Sequence, residues 1–226
     1  MIEHLGHFFH EDEIIESLKS QVTPERWQNI QNVVNHRDGS MAVVLEGIYD
    51  RGNASAVMRS AEAFGFYQIH HIELSDEFKE SKRVTQGADK WLLQKKWTDT
   101  RSCIDHLKTH GFKIAVTHLE GGKPIDEVDF STPVAICLGN EKDGASETLT
   151  KLADERVFIP MQGFVQSFNI SVAAALCFQH IARKRQAYSG KSLSDAQKQQ
   201  LLARYLLRSL KNPDPHMPAP IPKDRS

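Results

Sequence analysis

Apolar residues recur along this chain in two rhythms. Short continuous runs, "MAVVLEGIY" (41–49), "YQIHHIEL" (67–74), "FKIAVTHL" (112–119), "VAICLG" (134–139) and "RVFIPM" (156–161), have the length and β-branched content of buried strands. Between them the spacing changes to three and four. In "YDRGNASAVMRSAEAFG" (49–65) a turn, Asp50 to Asn53, leads into a helix whose stripe is Ala54, Val57, Met58, Ala61 and Phe64. "DTRSCIDHLKTHG" and "SETLTKLADE" also read as helices. Strands alternating with helices predict an α/β fold, a parallel sheet flanked by helices. Residues 10–35 predict two short helices, the second opened by Thr23 and Pro24. After "QSFN", "ISVAAALCFQHIARKRQAY" predicts a long helix, apolar first and basic at its end. "DAQKQQLLARYLLRSLK" predicts another, with Leu202, Tyr205, Leu206 and Leu210 on one stripe. The tail "NPDPHMPAPIPKDRS" is proline-rich and reads as extended and poorly ordered.

Composition narrows this only slightly. The 226 residues are 40% hydrophobic and 25% charged, as in ordinary globular proteins. No apolar stretch approaches the roughly 20 residues that cross a bilayer. The start, "MIEHLGHFFHEDEIIE", is acidic and unlike a signal or transit peptide, so a cytoplasmic location is expected. Cys103, Cys137 and Cys177 lie among apolar or helical neighbours and read as reduced core thiols. His110 and His118 lack ligand-spaced partners, and His70-His71 falls in a strand-like run, so no metal site is expected.

Charge distribution says more than the net charge of −1. Residues 1–20 hold five acids (Glu3, Glu11, Asp12, Glu13, Glu16) against Lys19. Residues 181–211 hold eight bases (Arg183, Lys184, Arg185, Lys191, Lys198, Arg204, Arg208, Lys211) against Asp195. The asymmetry points to an anionic partner such as nucleic acid; a pair of solvated helix faces is the other reading.

Ligands of open parallel sheets collect beyond the carboxyl ends of the strands, where three loops have unusual composition. They are Asp50–Asn53, "GNEKDGAS" (139–146) and "IPMQGFVQSFN" (159–169). The second matches a P-loop except that Ala145 replaces the lysine, and Glu141 would repel a polyphosphate, which argues against a triphosphatase. No G-x-G-x-x-G follows the first strand of the sheet. Arg59, beside the buried stripe, raises its own question, because a guanidinium keeps its charge.

"NASAVMRS", "LGNEKDGAS" and "IPMQGFVQSFNISVAAAL" closely resemble, in order and spacing, the three motifs of the SpoU/TrmH family of RNA 2′-O-methyltransferases in the SPOUT superfamily. The resemblance runs from about residue 25 to 210 and includes "TQGADKW". It is greatest to the branch that methylates guanosine-18 in the tRNA D-loop. One departure is Phe168, where relatives usually have leucine. The resemblance implies a C-terminal deep trefoil knot. It also implies S-adenosylmethionine as methyl donor, leaving as S-adenosylhomocysteine, and a homodimer with its active site at the subunit interface.

By the same resemblance Arg59 is the catalytic arginine, against a structural ion pair. Asn53 supports it, against a bare N-cap, with Glu141, Ser167 and Asn169 completing the polar set. Thr117, Leu119, Gly139, Asn140, Gly144, Ile159, Met161 and Phe168 correspond to the donor pocket. Lys90, Arg183, Lys184, Arg185, Arg204 and Arg208 are candidate contacts to tRNA phosphates. The implied layout is a helical extension (1–38), a methyltransferase domain (39–190) and a C-terminal helix with its tail (191–226). Methylation of ribosomal RNA or of another tRNA position is the nearest alternative, and a non-catalytic RNA-binding protein the next. The short segment before the first strand of the sheet favours tRNA, because many ribosomal-RNA relatives carry an added N-terminal domain.

Overall fold

The computed structural model describes residues 1–73, 87, 89–187 and 193–221. Leu74, Thr85, Gln86, Ala88 and Lys191, which belong to patterns noted above, lie outside the described residues. In chain order the elements begin with β1 (Ile2–His4), β2 (His7–Phe9), α1 (Glu11–Lys19) and α2 (Pro24–Asn35). Next come β3 (Met41–Glu46), α3 (Arg51–Ala63), β4 (Gln68–Ile72), β5 (Leu93–Trp97), α4 (Thr100–Thr109) and β6 (Lys113–Thr117). The last are β7 (Lys123–Pro124), β8 (Val134–Leu138), α5 (Glu147–Leu152), β9 (Glu155–Phe158), α6 (Ile170–Arg185) and α7 (Asp195–Ser209). They divide into two compact units, residues 38–191 and residues 1–37 with 192–226.

The larger unit is a seven-stranded parallel sheet in the order β5-β4-β3-β8-β6-β9-β7. Strand β3 is buried at all six positions, the five apolar residues Met41–Leu45 and the carboxylate Glu46 alike, as in a strand covered on both faces. Met41, Val43 and Leu45 join one core cluster with α3 and α6, while Ala42 and Val44 join another with α4 and α5. On α3, Ala54, Val57, Met58 and Ala61 are buried as their spacing predicts. Strand β9 lies between β6 and β7, so residues 118–122 connect two strands that a later strand separates.

The sheet's outer strand β5, "LQKKW", escapes the hydrophobic pattern because its three central residues are exposed. Strand β7 has only two residues. Helix α3 starts at Arg51, not after the turn, and its N-cap is Asp50, whose carboxylate accepts the Asn53 N–H at 2.7 Å. Asn53 is therefore not an N-cap.

Arg185 is a further correction. The residue is 2% exposed, and its guanidinium donates to Asp38 at 3.0 Å, to the Phe130 and Thr132 carbonyls at 2.7 Å each, and to Ser40. A side chain so committed is not available to an RNA phosphate. Arg183 and Lys184 remain exposed.

In the smaller unit β1 and β2 form an antiparallel ribbon whose turn has positive φ at Leu5 and Gly6. The second helix opens as expected, Thr23 accepting the Arg26 N–H with Pro24 next. The α7 stripe differs from its prediction: Leu201, Tyr205, Leu206 and Leu207 are buried, whereas Leu202 is half-buried and Leu210 lies past the helix. Tyr205 accepts a hydrogen bond from Arg37 at 3.1 Å, which anchors this stripe. The tail, expected to be extended and poorly ordered, is tied back where Ile221 N–H donates to the Phe8 carbonyl at 2.8 Å and His4 meets Asp214.

Candidate active site

At the carboxyl ends of β6, β8 and β9 the larger unit has a cleft of about 690 Å³. All eight residues matched to a donor pocket line it: Thr117, Leu119, Gly139, Asn140, Gly144, Ile159, Met161 and Phe168. Glu141, Ser167 and Asn169 line it as well. Local geometry explains why glycine stands at 139, since a Cβ there would lie 2.1 Å from the Ala145 nitrogen. The chain turns back so tightly because Asn140 and Gly144 exchange backbone hydrogen bonds at 3.0 and 3.1 Å. Asn140 Oδ1 also accepts the Lys142 and Asp143 N–H groups, and Gly144 adopts φ 73°, the left-handed region glycine tolerates.

Asn53 links the three loops at one end of this cleft. Its amide nitrogen donates to Glu141 Oε1 at 2.9 Å, and its amide oxygen accepts from Asn169 Nδ2 at 3.1 Å. Asn169 is the N-cap of α6 and accepts from the Ser171 N–H and hydroxyl. Ser167 does not cap that helix. Arg59, on the exposed side of α3, does not line the cleft. Lys90 is exposed, its ammonium 4.7 Å from the Trp91 ring centre. Arg204 and Arg208 are half-buried on α7 in the smaller unit.

The cleft offers little redox or nucleophilic chemistry. Cys177 is the thiol on its wall, and burial pushes that thiol up to about 12, so it stays protonated. Among the described residues no cluster of His, Cys, Asp and Glu is arranged to hold a metal ion. The walls instead combine apolar side chains with exposed loop backbone, as an aromatic base with polar edges requires.

Sequence reasoning missed His118 and Glu120, which extend the wall after β6. A signal existed in Gly121-Gly122. A Cβ on Gly122 would lie 3.0 Å from the Arg156 carbonyl, so the loop's close approach needs the missing side chain. Glu46 was missed too, although it is a carboxylate inside an otherwise apolar strand.

A parallel sheet whose carboxyl edge carries these three loops matches the model of the SpoU rRNA Methylase family over residues 40–179, and the chain belongs to that family. It is 33% identical over 197 residues to the tRNA (guanosine(18)-2′-O)-methyltransferase of Borreliella burgdorferi, covering 86% of this chain and 90% of that one. The crystal structure of the A. aeolicus TrmH/SpoU tRNA modifying enzyme is similar with a TM-score of 0.75 and 27% identity, over 83% of this chain and 98% of that one. The SpoU methyltransferase AviRb from Streptomyces viridochromogenes, solved with AdoMet, shares the fold at a TM-score of 0.60 and 24% identity, over 67% and 62% of the two chains.

Proposed function

We propose that this chain transfers a methyl group from S-adenosylmethionine to the ribose 2′-hydroxyl of guanosine-18 in the tRNA D-loop. The observation that carries this reading is the Asn53 bridge, which joins all three motif loops beside a cleft lined by every residue matched to the donor pocket. The similarity to the Borreliella burgdorferi enzyme over 86% of the chain supports tRNA as the substrate.

The residues fit the donor. Leu119, Ile159, Met161 and Phe168 give the apolar surface that an adenine ring needs, and the turn at 139–144 forms part of the same wall. When bound, the donor supplies a methyl group on a positively charged sulfur. The chain's own work is to hold the 2′-oxygen in line and to stabilise its charge as the hydroxyl proton passes to solvent water. Arg59 is assigned that electrostatic role, with Asn53, Glu141 and Asn169 fixing the loops at the end of the cleft.

Because Arg59 does not line the cleft of its own chain, the reading includes a homodimer in which each cleft is completed by the partner's Arg59. An apolar strip supports this, since Phe168, Val172 and Leu176 are 38%, 46% and 43% exposed at the start and along one side of α6. The deep knot is part of the same reading, and the insertion of β9 between β6 and β7 is compatible with a threaded path. Lys90, Arg183 and Lys184, all exposed, would meet tRNA phosphates, as would the half-buried Arg204 and Arg208. Charge reversal at Arg183 and Lys184 should weaken tRNA binding, most at low salt, and leave donor affinity unchanged. We extend the reading to a cytoplasmic location. Among the described residues no helix is long and apolar enough to cross a membrane.

The test is transfer of labelled methyl groups to unmodified tRNA and to ribosomal RNA. We expect transfer to tRNA, with kcat lowered roughly 10²–10³-fold by Arg59→Ala, the cost of one transition-state donor, at unchanged donor affinity. Labelling of ribosomal RNA instead would overturn the choice of substrate, and donor binding without transfer to either would overturn catalysis.

A further inference from the structure

We propose that Glu46 is a positioning residue for methyl transfer: its buried carboxylate fixes the end of the 139–146 loop and so sets the shape of the donor cleft. The inference rests on the reading of that cleft as the donor site. Strand β3 alternates its side chains between two cores, and position 46 falls on the face of Ala42 and Val44, toward α4 and α5. An apolar residue would suit that place. The chain puts there a carboxylate that is only 1% exposed.

Burying a carboxylate is costly unless donors surround it, and three do. Oε1 accepts the Thr100 hydroxyl at 2.5 Å and the Ser146 hydroxyl at 2.8 Å, while Oε2 accepts the Ser146 N–H at 2.8 Å. Ser146 in turn accepts the Leu149 N–H as N-cap of α5. Glu46 does not line the cleft itself. The loop is thus held at both ends. At one end Gly139 follows β8 and abuts the backbone of Gly144 and Ala145, and at the other Ser146 is clamped to the carboxyl end of β3. The strand that Glu46 terminates leads into the segment carrying Asp50, Asn53 and Arg59, so one carboxylate ties that segment's root to the donor loop.

The variants separate positioning from mere packing. Glu46→Gln keeps the shape; its amide oxygen takes the Ser146 N–H while its NH2 donates to the two hydroxyls, which rotate to accept. Glu46→Leu keeps the volume and removes every acceptor. We expect Glu46→Leu to raise the KM for S-adenosylmethionine about tenfold or more, the loss of a charge-assisted bond. The KM for tRNA should stay unchanged, and Glu46→Gln should restore the donor KM to within about threefold. Amide hydrogen exchange of a peptide spanning 139–146, without donor, should quicken in Glu46→Leu and not in Glu46→Gln. Should Glu46→Leu fail to fold, Glu46→Asp applies the same test, because it withdraws the carboxylate from Ser146 by one methylene. An unchanged donor KM with unchanged exchange would overturn the proposal, as would a loss matched by an equal loss of folded protein. If the wild-type protein binds no donor, the cleft reading fails, and the exchange experiment alone then decides whether Glu46 holds the loop.

Discussion

Asn53 uses both ends of one amide to join two loops, donating to Glu141 and accepting from Asn169. Replacing it with alanine removes both bonds, while aspartate keeps an acceptor for Asn169 but sets a carboxylate against Glu141, 2.9 Å from the present amide nitrogen, a repulsion that outweighs the retained bond. Asn53→Asp should therefore lower kcat/KM more than Asn53→Ala, and the gap should narrow as pH falls toward the carboxylate range, which a pH–rate comparison of the two variants would read. At Gly139 the constraint is steric. A methyl group would collide with backbone rather than with a side chain that can move, so Gly139→Ala should abolish donor binding by calorimetry and lower stability by about 1–3 kcal/mol. Arg185 gives the opposite lesson about a basic residue. Arg185→Met would leave the Asp38 carboxylate without its 3.0 Å partner, costing about 3–5 kcal/mol in denaturant unfolding. A phosphate-binding arginine would instead change tRNA affinity and leave stability alone.

Each central strand and helix was legible because its burial is complete and periodic. Strands β3, β6 and β8 are near-continuous apolar runs, and α3 and α4 carry buried residues at three-and-four spacing. Elements that face solvent or consist of a few residues gave no such signal, as β5 and the ribbon of β1 and β2 show. The three loops were visible as motifs, whereas the hydrogen bonds that unite them depend on parts of the chain 88 and 116 residues apart. No local pattern reveals pairing at that range. The "HH" in β4 likewise appeared unremarkable in sequence and has a distinct environment in the fold. Trp97 Nε1–H donates to His70 Nδ1 at 3.0 Å, and an indole can only donate, so that ring nitrogen carries no proton. Burial, with His106 and Lys95 adding like charge, pushes His70 down to about 4. Between pH 6.5 and 4 the unfolded chain therefore binds a proton that the folded chain refuses. Stability should fall through that window by on the order of 3 kcal/mol. Thermal unfolding from pH 7 to pH 4 should show the drop, and His70→Gln should reduce it.

At the scale of the whole molecule, the proposed reading gives donor binding to the sheet and its loops and has the acceptor RNA and Arg59 call on surfaces beyond one cleft. Val172 and Leu176, four residues apart on α6, are both more than 40% exposed. Carboxylates at both positions should convert the proposed dimer to a monomer in sedimentation and abolish transfer, with donor affinity reduced as well, since Phe168 and Asn169 at the same helix start line the cleft. A variant that stays active as a monomer would contradict the shared site. The most direct measurement is nucleoside mass spectrometry on tRNA bearing guanosine at position 18, after reaction with the purified protein and S-adenosylmethionine. The account predicts 2′-O-methylguanosine at that position, formed at an initial rate roughly 10²–10³-fold lower with Arg59→Ala; methylation at another nucleotide, or an equal initial rate from the Arg59 variant, would contradict it.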